Sequence, residues 1–274
     1  MTSTIAFIGA GNMGRAILGG LRAGGHPAAR LRAADADAAA RARVAQELGI
    51  FTDADNRRVA AGAEVLVLAV KPQQMREVAL ALAEITAATQ PLVLSIAAGI
   101  PTAALAAWLG ATAPIVRAMP NTPALIGRGT SVLYATAATD AARRATAESI
   151  LRAVGAVHWL ADESLMDAVT ALSGSGPAYV FRLLESLAAA GAALGLAPEL
   201  AQRLALETTA GAAELALVSP QDPATLRRQV TSKGGTTERA LAVLDEAGID
   251  ALFARALSAA RDRSRTLSEE FGKS

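Results

Sequence analysis

Residues 1–14 read MTSTIAFIGAGNMG: an apolar strand, Ile5-Ala-Phe-Ile8, runs straight into Gly9-x-Gly11-x-x-Gly14. Ala16-Ile17-Leu18 opens a helical pattern directly behind it, so the three glycines stand at a strand-to-helix turn. Gly9 permits the tight turn, Gly11 lets the backbone approach a pyrophosphate, and Gly14 lets the helix pack on the strand. The phosphates then meet the positive end of the helix, where backbone N–H groups lack intrahelical partners. A glycine-rich turn also joins strand to helix in proteins that bind nothing; the matched flanks on both sides favour a dinucleotide.

Outward from this turn, strand-like apolar runs alternate with helical segments. The runs are Leu31–Ala34, Glu64–Val70, Leu92–Ile96, Ile115–Ala118, Ser131–Tyr134 and Val157–Leu160, with helices predicted over Met13–Ala23, Ala38–Leu48, Met75–Ile85 and Ala141–Val154. The pattern predicts an α/β fold, a doubly wound Rossmann-type parallel sheet. From Asp162 onward only helical patterns follow: Glu163–Leu172, Ala178–Leu194, Pro198–Val218, Thr236–Ala247 and Ile249–Phe271. The expected division is therefore a dinucleotide-binding domain over residues 1–161 and an all-helical domain over 162–274. The Ala-rich stretches Leu187–Ala193 and Thr209–Ala213 lie at helical spacing among leucines; they read either as good helix formers filling space or, the favoured reading, as small-residue faces along which helices of two subunits interlock.

Composition narrows the function classes. The 274 residues are 52% hydrophobic but only 3% aromatic, so the core is built from Ala, Val, Leu and Ile. A net charge of +1, with both signs interspersed, argues against nucleic acid and anionic membrane as partners. No cysteine occurs, which excludes disulfides, thiol catalysis and cysteine-bound metal and fits a cytoplasmic protein. The uncharged run Pro91–Val116 is interrupted by Pro101 and Pro114 and so reads as core, not as a membrane span.

Several turns open on the edge of the sheet where such folds bind ligands. Asp35 ends the second strand at the interval expected of an acidic residue on an adenosine ribose, although it could equally cap the next helix. Arg30, Arg32 and Arg41 lie near it and would favour a 2′-phosphate. The third strand ends in Ala69-Val70-Lys71-Pro72, the fourth in Ser95-Ile-Ala97-Ala-Gly99, and the fifth in Arg117-Ala-Met-Pro-Asn-Thr-Pro123. In the helical half, the loops Ser173-Gly-Ser175-Gly176-Pro-Ala-Tyr179 and Thr231-Ser232-Lys233-Gly234-Gly235-Thr236-Thr237 are rich in hydroxyls and free N–H groups. Such loops suit a substrate carboxylate and serve equally as helix caps, through Thr236 or Thr237 in the second. His26 and His158 lack acidic partners and read as surface or strand residues, and Asp162, Glu163 and Asp167 read as an acidic helix N-terminus. No motif for a metal site or a serine nucleophile is present.

Taken together, Phe7–Gly14, Ala69–Pro72, Ser95–Gly99, Arg117–Pro123, Asp167–Tyr179 and Val230–Thr237 resemble the pyrroline-5-carboxylate reductase family over nearly the whole chain. The resemblance implies a helical domain that intertwines with a second subunit, as a homodimer or a ring of dimers. It also implies hydride transfer from NADPH, with NADH accepted, to the C=N carbon of 1-pyrroline-5-carboxylate, giving L-proline. On this resemblance Ile8, Gly9, Ala10, Gly11, Asn12, Met13, Asn56, Val70, Lys71 and Ala97 meet the cofactor. Ser232, Gly234, Gly235, Thr236 and Thr237 meet the substrate, with Thr237 nearest the imine nitrogen. Two positions depart from the family pattern: Lys233 stands where proline is usual, and Asp35 where many NADP-using members carry a small hydroxyl residue. A protonated cyclic imine is already electrophilic, so the missing acid–base pair is no obstacle. A hydroxy- or amino-acid dehydrogenase using Lys233, and a non-catalytic NAD(P) sensor, are the competing readings.

Overall fold

Alternation of side chains along a strand sends neighbours to opposite faces, and in β1 (Ile5–Ile8) both faces are buried. Ile5 and Phe7 join one apolar layer, Ala6 and Ile8 the other. This is the condition for a sheet covered by helices on both sides. In the computed structural model, which describes residues 3–273, the chain continues through α1 (Asn12–Ala23), β2 (Leu31–Ala34), α2 (Ala38–Leu48), β3 (Phe51–Asp53), α3 (Asn56–Ala60), β4 (Val65–Leu68), α4 (Pro72–Thr89), β5 (Leu92–Ser95), α5 (Thr102–Leu109), β6 (Ile115–Met119), β7 (Gly129–Ala135), α6 (Ala141–Arg152) and β8 (Gly155–Trp159). The eight strands lie in the order β3-β2-β1-β4-β5-β6-β7-β8. The order reverses direction at β1, which places a crevice at the carboxyl ends of β1 and β4.

One layer packs Ile17, Leu18 and Leu21 of α1 and Ile150 and Leu151 of α6 against the sheet. The other packs Val59 of α3, Met75 and Leu82 of α4 and Leu105 of α5. Each of these aliphatic side chains contributes about 1.5–3 kcal/mol by leaving water.

Three expectations need correction. The sheet is not wholly parallel: β7 runs antiparallel to β6, with Arg117 opposite Tyr134 and Ala118 opposite Leu133. The link between them, which holds a 3₁₀ turn at Thr122–Ile126, is too brief for a crossover helix, so the chain folds straight back. β3, whose Phe51 is exposed, α3, and α10 (Pro223–Gln229) in the helical half add to the elements expected from the sequence.

After β8 come α7 (Met166–Val169), one turn of π-helix over Thr170–Gly174, α8 (Gly176–Ala193), α9 (Pro198–Val218), α10, α11 (Thr236–Glu246) and α12 (Ile249–Lys273). The chain forms two compact units. One runs through Ser175 and takes in the chain again from Ala260; the other is Gly176–Ala259. Within the second, α8 and α9 approach closely where a Cβ on Gly191 would lie 3.2 Å from Ala201 Cβ. Yet α8 buries no residue, and α9 buries only Ala201 and Ala205. Phe181, Leu183, Leu187, Leu206 and Leu215 are all exposed. Among the described residues no helix is long and apolar enough to cross a membrane.

Candidate active site

The turns that leave β1, β4 and β5 are stitched to one another at the carboxyl edge. Gly9 N donates to Ala34 O at 2.8 Å, Ala69 N to Ile8 O at 2.8 Å, and Ile96 N to Leu68 O at 3.1 Å. The three glycines of the first turn now separate by cause. Gly9 has φ +104, and a Cβ there would lie 2.6 Å from Ala69 O. Gly14 would drive a Cβ to 2.6 Å from Gly9 O. Gly11 has φ −65, is exposed and has nothing within 4 Å of a Cβ, so neither backbone conformation nor packing demands glycine there. A glycine at this N-cap leaves room for a ligand to come close to the backbone.

Gly11 is also the N-cap of α1, and no side chain caps that helix and no acidic residue lies in its first turn. Its first N–H groups, on Asn12, Met13 and Gly14, have no hydrogen-bond partner among the described residues and lie at the positive end of the helix dipole. These residues fit a dinucleotide pyrophosphate.

Asp35 is not the helix cap: Asp37 caps α2, accepting from Ala39 N at 2.9 Å. The Asp35 carboxylate instead bridges the turns, taking Ala10 N on Oδ2 at 2.8 Å and Asp37 N on Oδ1 at 2.9 Å. Of the three arginines expected near it, Arg30 donates to Thr4 Oγ1 and Arg32 to Ala61 O, both ahead of strands at the opposite edge. Only Arg41 stays at the turn, donating to Asp35 O at 2.7 Å and Ala36 O at 3.0 Å. A second guanidinium, unremarked in the sequence, is Arg58, paired at 2.7 Å with Asp53 at the end of β3. The Asp55 N–H holds the Asp53 carboxyl below its usual range, opposed by desolvation and reinforced by Arg58, the Ala54 N–H and Arg41. Asn56 opens α3 beside this pair, behind its cap Asp55.

The remaining cofactor candidates follow β4 and β5. Val70 is half-buried, Lys71 is the exposed residue ahead of α4, Pro72 fills the first helical position, and Ala97 is buried. Pro72 lacks the N–H that the helix start leaves unpaired, which suits it to that position.

The acidic run after β8 does more than start a helix. Asp162 does cap, accepting from Ser164 N at 2.8 Å, and its carboxyl is lowered by the Ser164 hydroxyl and N–H against desolvation. Glu163 instead receives Arg117 Nη1 at 2.9 Å, Thr102 N at 2.8 Å and the Thr102 hydroxyl. Asp167 receives Ser264 Oγ at 2.7 Å. Arg117 is only 4% exposed, so losing Glu163 would strand a buried charge. Ser175 follows the π turn, its N–H bonded to Thr170 O at 2.8 Å, and Gly176 begins α8.

The second hydroxyl-rich loop lies in the other unit. Gly235, not Thr236 or Thr237, is the N-cap of α11, because both threonines are already inside the helix. Gly235 N donates to Ser232 O at 3.0 Å, and Gly234 N to Glu238 Oε2 at 2.7 Å. The Thr236 and Thr237 hydroxyls have no hydrogen-bond partner among the described residues, so both are available to a ligand. Glu238, which shapes this loop, was missed in the sequence because a carboxylate in a first helical turn is commonplace.

Neither histidine belongs to the edge. His26 is buried, not on the surface, with Nε2 3.0 Å from Ser3 O, and burial lowers its pKa below the ordinary value. His158 is exposed on β8. Among the described residues no three His, Asp or Glu side chains are grouped to hold a metal ion.

Residues 4–99 match a family described as NADP oxidoreductase, coenzyme F420-dependent, and residues 163–267 one described as pyrroline-5-carboxylate reductase dimerisation. A pyrroline-5-carboxylate reductase of Pseudomonas aeruginosa is 52% identical over 272 residues, 99% of each chain. The chain belongs to the pyrroline-5-carboxylate reductase family. The likeness extends to solved structures of the family. The enzyme of Coxiella burnetii is 43% identical with a TM-score of 0.94, over 98% of this chain and 99% of that one. A Plasmodium falciparum pyrroline carboxylate reductase with NADP bound is 28% identical with a TM-score of 0.86, over 97% and 98%.

Proposed function

We infer that the protein reduces the C=N bond of 1-pyrroline-5-carboxylate with NAD(P)H to give L-proline, the last step of proline biosynthesis. The observation that carries this reading is the uncapped start of α1 behind an unobstructed Gly11, in a chain that matches the family from end to end. When bound, the nicotinamide supplies a hydride to the imine carbon; the imine π pair becomes the nitrogen lone pair, and the proton already on the iminium nitrogen balances the charge.

The chain's own residues bind and orient. Gly9, Gly11 and the N–H groups of Asn12, Met13 and Gly14 receive the pyrophosphate, and Ile8, Ala10, Asn56, Val70, Lys71, Pro72 and Ala97 frame the rest of the cofactor. The Ser232–Thr237 loop, with Ser175 and Gly176, holds the substrate carboxylate through N–H and hydroxyl groups. Thr237 hydrogen-bonds the imine nitrogen and fixes its orientation. This assignment is supported by the unpartnered Thr237 hydroxyl at the start of α11.

NADPH is the better donor and NADH a second one. The guanidinium groups of Arg41 and Arg58 near the ends of β2 and β3 support a 2′-phosphate, and the backbone N–H bonds on both oxygens of Asp35 moderate the repulsion it would exert. The working unit is a homodimer or a ring of dimers, supported by the dimerisation family over residues 163–267 and by the exposed Phe181, Leu183, Leu187 and Leu215. The functional division falls at residue 161, the compartment is the cytoplasm, and no metal takes part. Purified protein should oxidise NADPH only when the cyclic imine is present; turnover with a hydroxy-acid panel instead of the imine would overturn the assignment.

A further inference from the structure

Alternate residues along and just beyond β6 each grip the segment that follows β8. Arg117 Nη1 donates to Glu163 Oε1 at 2.9 Å. Met119 lies against Gly174 so closely that a Cβ on that glycine would overlap Met119 Cε. Asn121 Nδ2 donates to Ser173 O at 3.3 Å and lies 3.4 Å from Ser173 Oγ. The other end of the Asn121 amide is committed as well, because Oδ1 accepts Thr130 N at 2.8 Å. Thr130 N–H requires an acceptor, which fixes the amide's orientation and turns its donor toward Ser173.

The gripped segment is the π-helical turn Thr170–Gly174. A π turn is rare, is less favourable than the α-helix it interrupts, and recurs at functional sites. Its consequence here is direct: the Ser175 N–H reaches back to Thr170 O, which sets where Ser175 and, next in the chain, Gly176 present their polar groups. Arg117 holds Glu163, ahead of the turn, and Met119 packs on the turn's last glycine. Among the described residues, Asn121 alone ties the backbone of the turn to the β6 edge by a side-chain hydrogen bond, whose strength depends on the amide's orientation.

We propose that Asn121 is a positioning residue of the reductase: it clamps the π turn to the carboxyl end of β6 and thereby sets Ser175 and Gly176 for the substrate carboxylate. The proposal rests on the substrate assignment made above for those two residues. Asn121 touches neither substrate nor cofactor in this account and acts through the turn.

The test compares wild type with Asn121→Asp, which keeps the acceptor for Thr130 N but sets an acceptor against Ser173 O, and with Asn121→Ala, which removes both ends. Amide hydrogen exchange should quicken over residues 170–176 in both variants and stay unchanged in β1, β4 and β5. In Asn121→Asp the KM for the imine should rise, with kcat/KM down about ten- to a hundredfold, the loss expected when a reactant group is displaced by roughly an ångström. NADPH affinity should be unchanged. Unaltered exchange at 170–176 would overturn the clamp. Faster exchange with unchanged imine KM would overturn the link from turn to substrate. Wild-type protein that fails to reduce the imine would instead refute the substrate assignment, while the exchange data still decide whether Asn121 holds the turn.

Discussion

Replacing each glycine of the first turn by alanine separates folding from cofactor binding. At Gly9 the methyl meets both a φ of +104 and the Ala69 carbonyl oxygen at 2.6 Å. Strain of this kind, together with an overlap against backbone that cannot rotate away, costs about 2–5 kcal/mol. For a chain of this size that lowers Tm by about 5–15 °C. Gly14→Ala meets the Gly9 carbonyl oxygen at 2.6 Å and should destabilise as well, by prising α1 from β1. Gly11→Ala is different. Its φ of −65 suits any residue and its methyl projects into open space. The small loss of N-cap preference is offset by the lower entropy of the unfolded chain, so stability should change by less than about 1 kcal/mol. That same methyl occupies the approach to the α1 N–H groups. Losing one or two charge-assisted hydrogen bonds to the pyrophosphate costs about 1.5–3 kcal/mol, roughly ten- to a hundredfold in Kd. Thermal unfolding without nucleotide and NADPH titration by calorimetry, run on all three variants, give the two readouts. A Gly11→Ala protein that binds NADPH as tightly as wild type would refute the placement of the pyrophosphate.

Three further outcomes follow from the same geometry. Asp35→Ser should shift the ratio of kcat/KM toward NADPH over NADH if the carboxylate reaches the ribose, and an unchanged ratio would leave Asp35 only its bridge from Ala10 N to Asp37 N. Thr237→Ala should lower imine reduction roughly ten- to a hundredfold, the worth of one well-placed hydrogen bond of about 1–3 kcal/mol, with NADPH binding intact; wild-type kinetics would remove Thr237 from the mechanism. Sedimentation at working concentration should show a dimer or a multiple of dimers, since α8 buries nothing within its own chain; a folded, active monomer would contradict the proposed assembly.

What could be read from the sequence followed the strength of local signals. The buried runs Ile5–Ile8 and Val65–Leu68 announce themselves because both faces are apolar, and the glycine turn because its flanks match strand and helix. β3 has three residues and an exposed Phe51, too short to show a period, and α10 reads PATLRRQ with no apolar stripe. The direction of β7 leaves no trace in composition, because an apolar run looks the same either way along a sheet. The site was legible as a set of turns but not as contacts. Asp35 is 25 residues from Ala10, Glu163 is 46 from Arg117, and Asn121 is 52 from Ser173. Only the folded chain shows that Glu163 secures a buried guanidinium, or that the Met119 side chain packs on Gly174.

The central claim is hydride delivery to the carbon of a cyclic imine, and tracing the hydride tests it most directly. With NADPH deuterated at the reactive position of the nicotinamide and 1-pyrroline-5-carboxylate as acceptor, mass spectrometry should find L-proline carrying a single deuterium on the former imine carbon. Proline formed without the label, or labelled nucleotide consumed with no proline produced, would contradict the account.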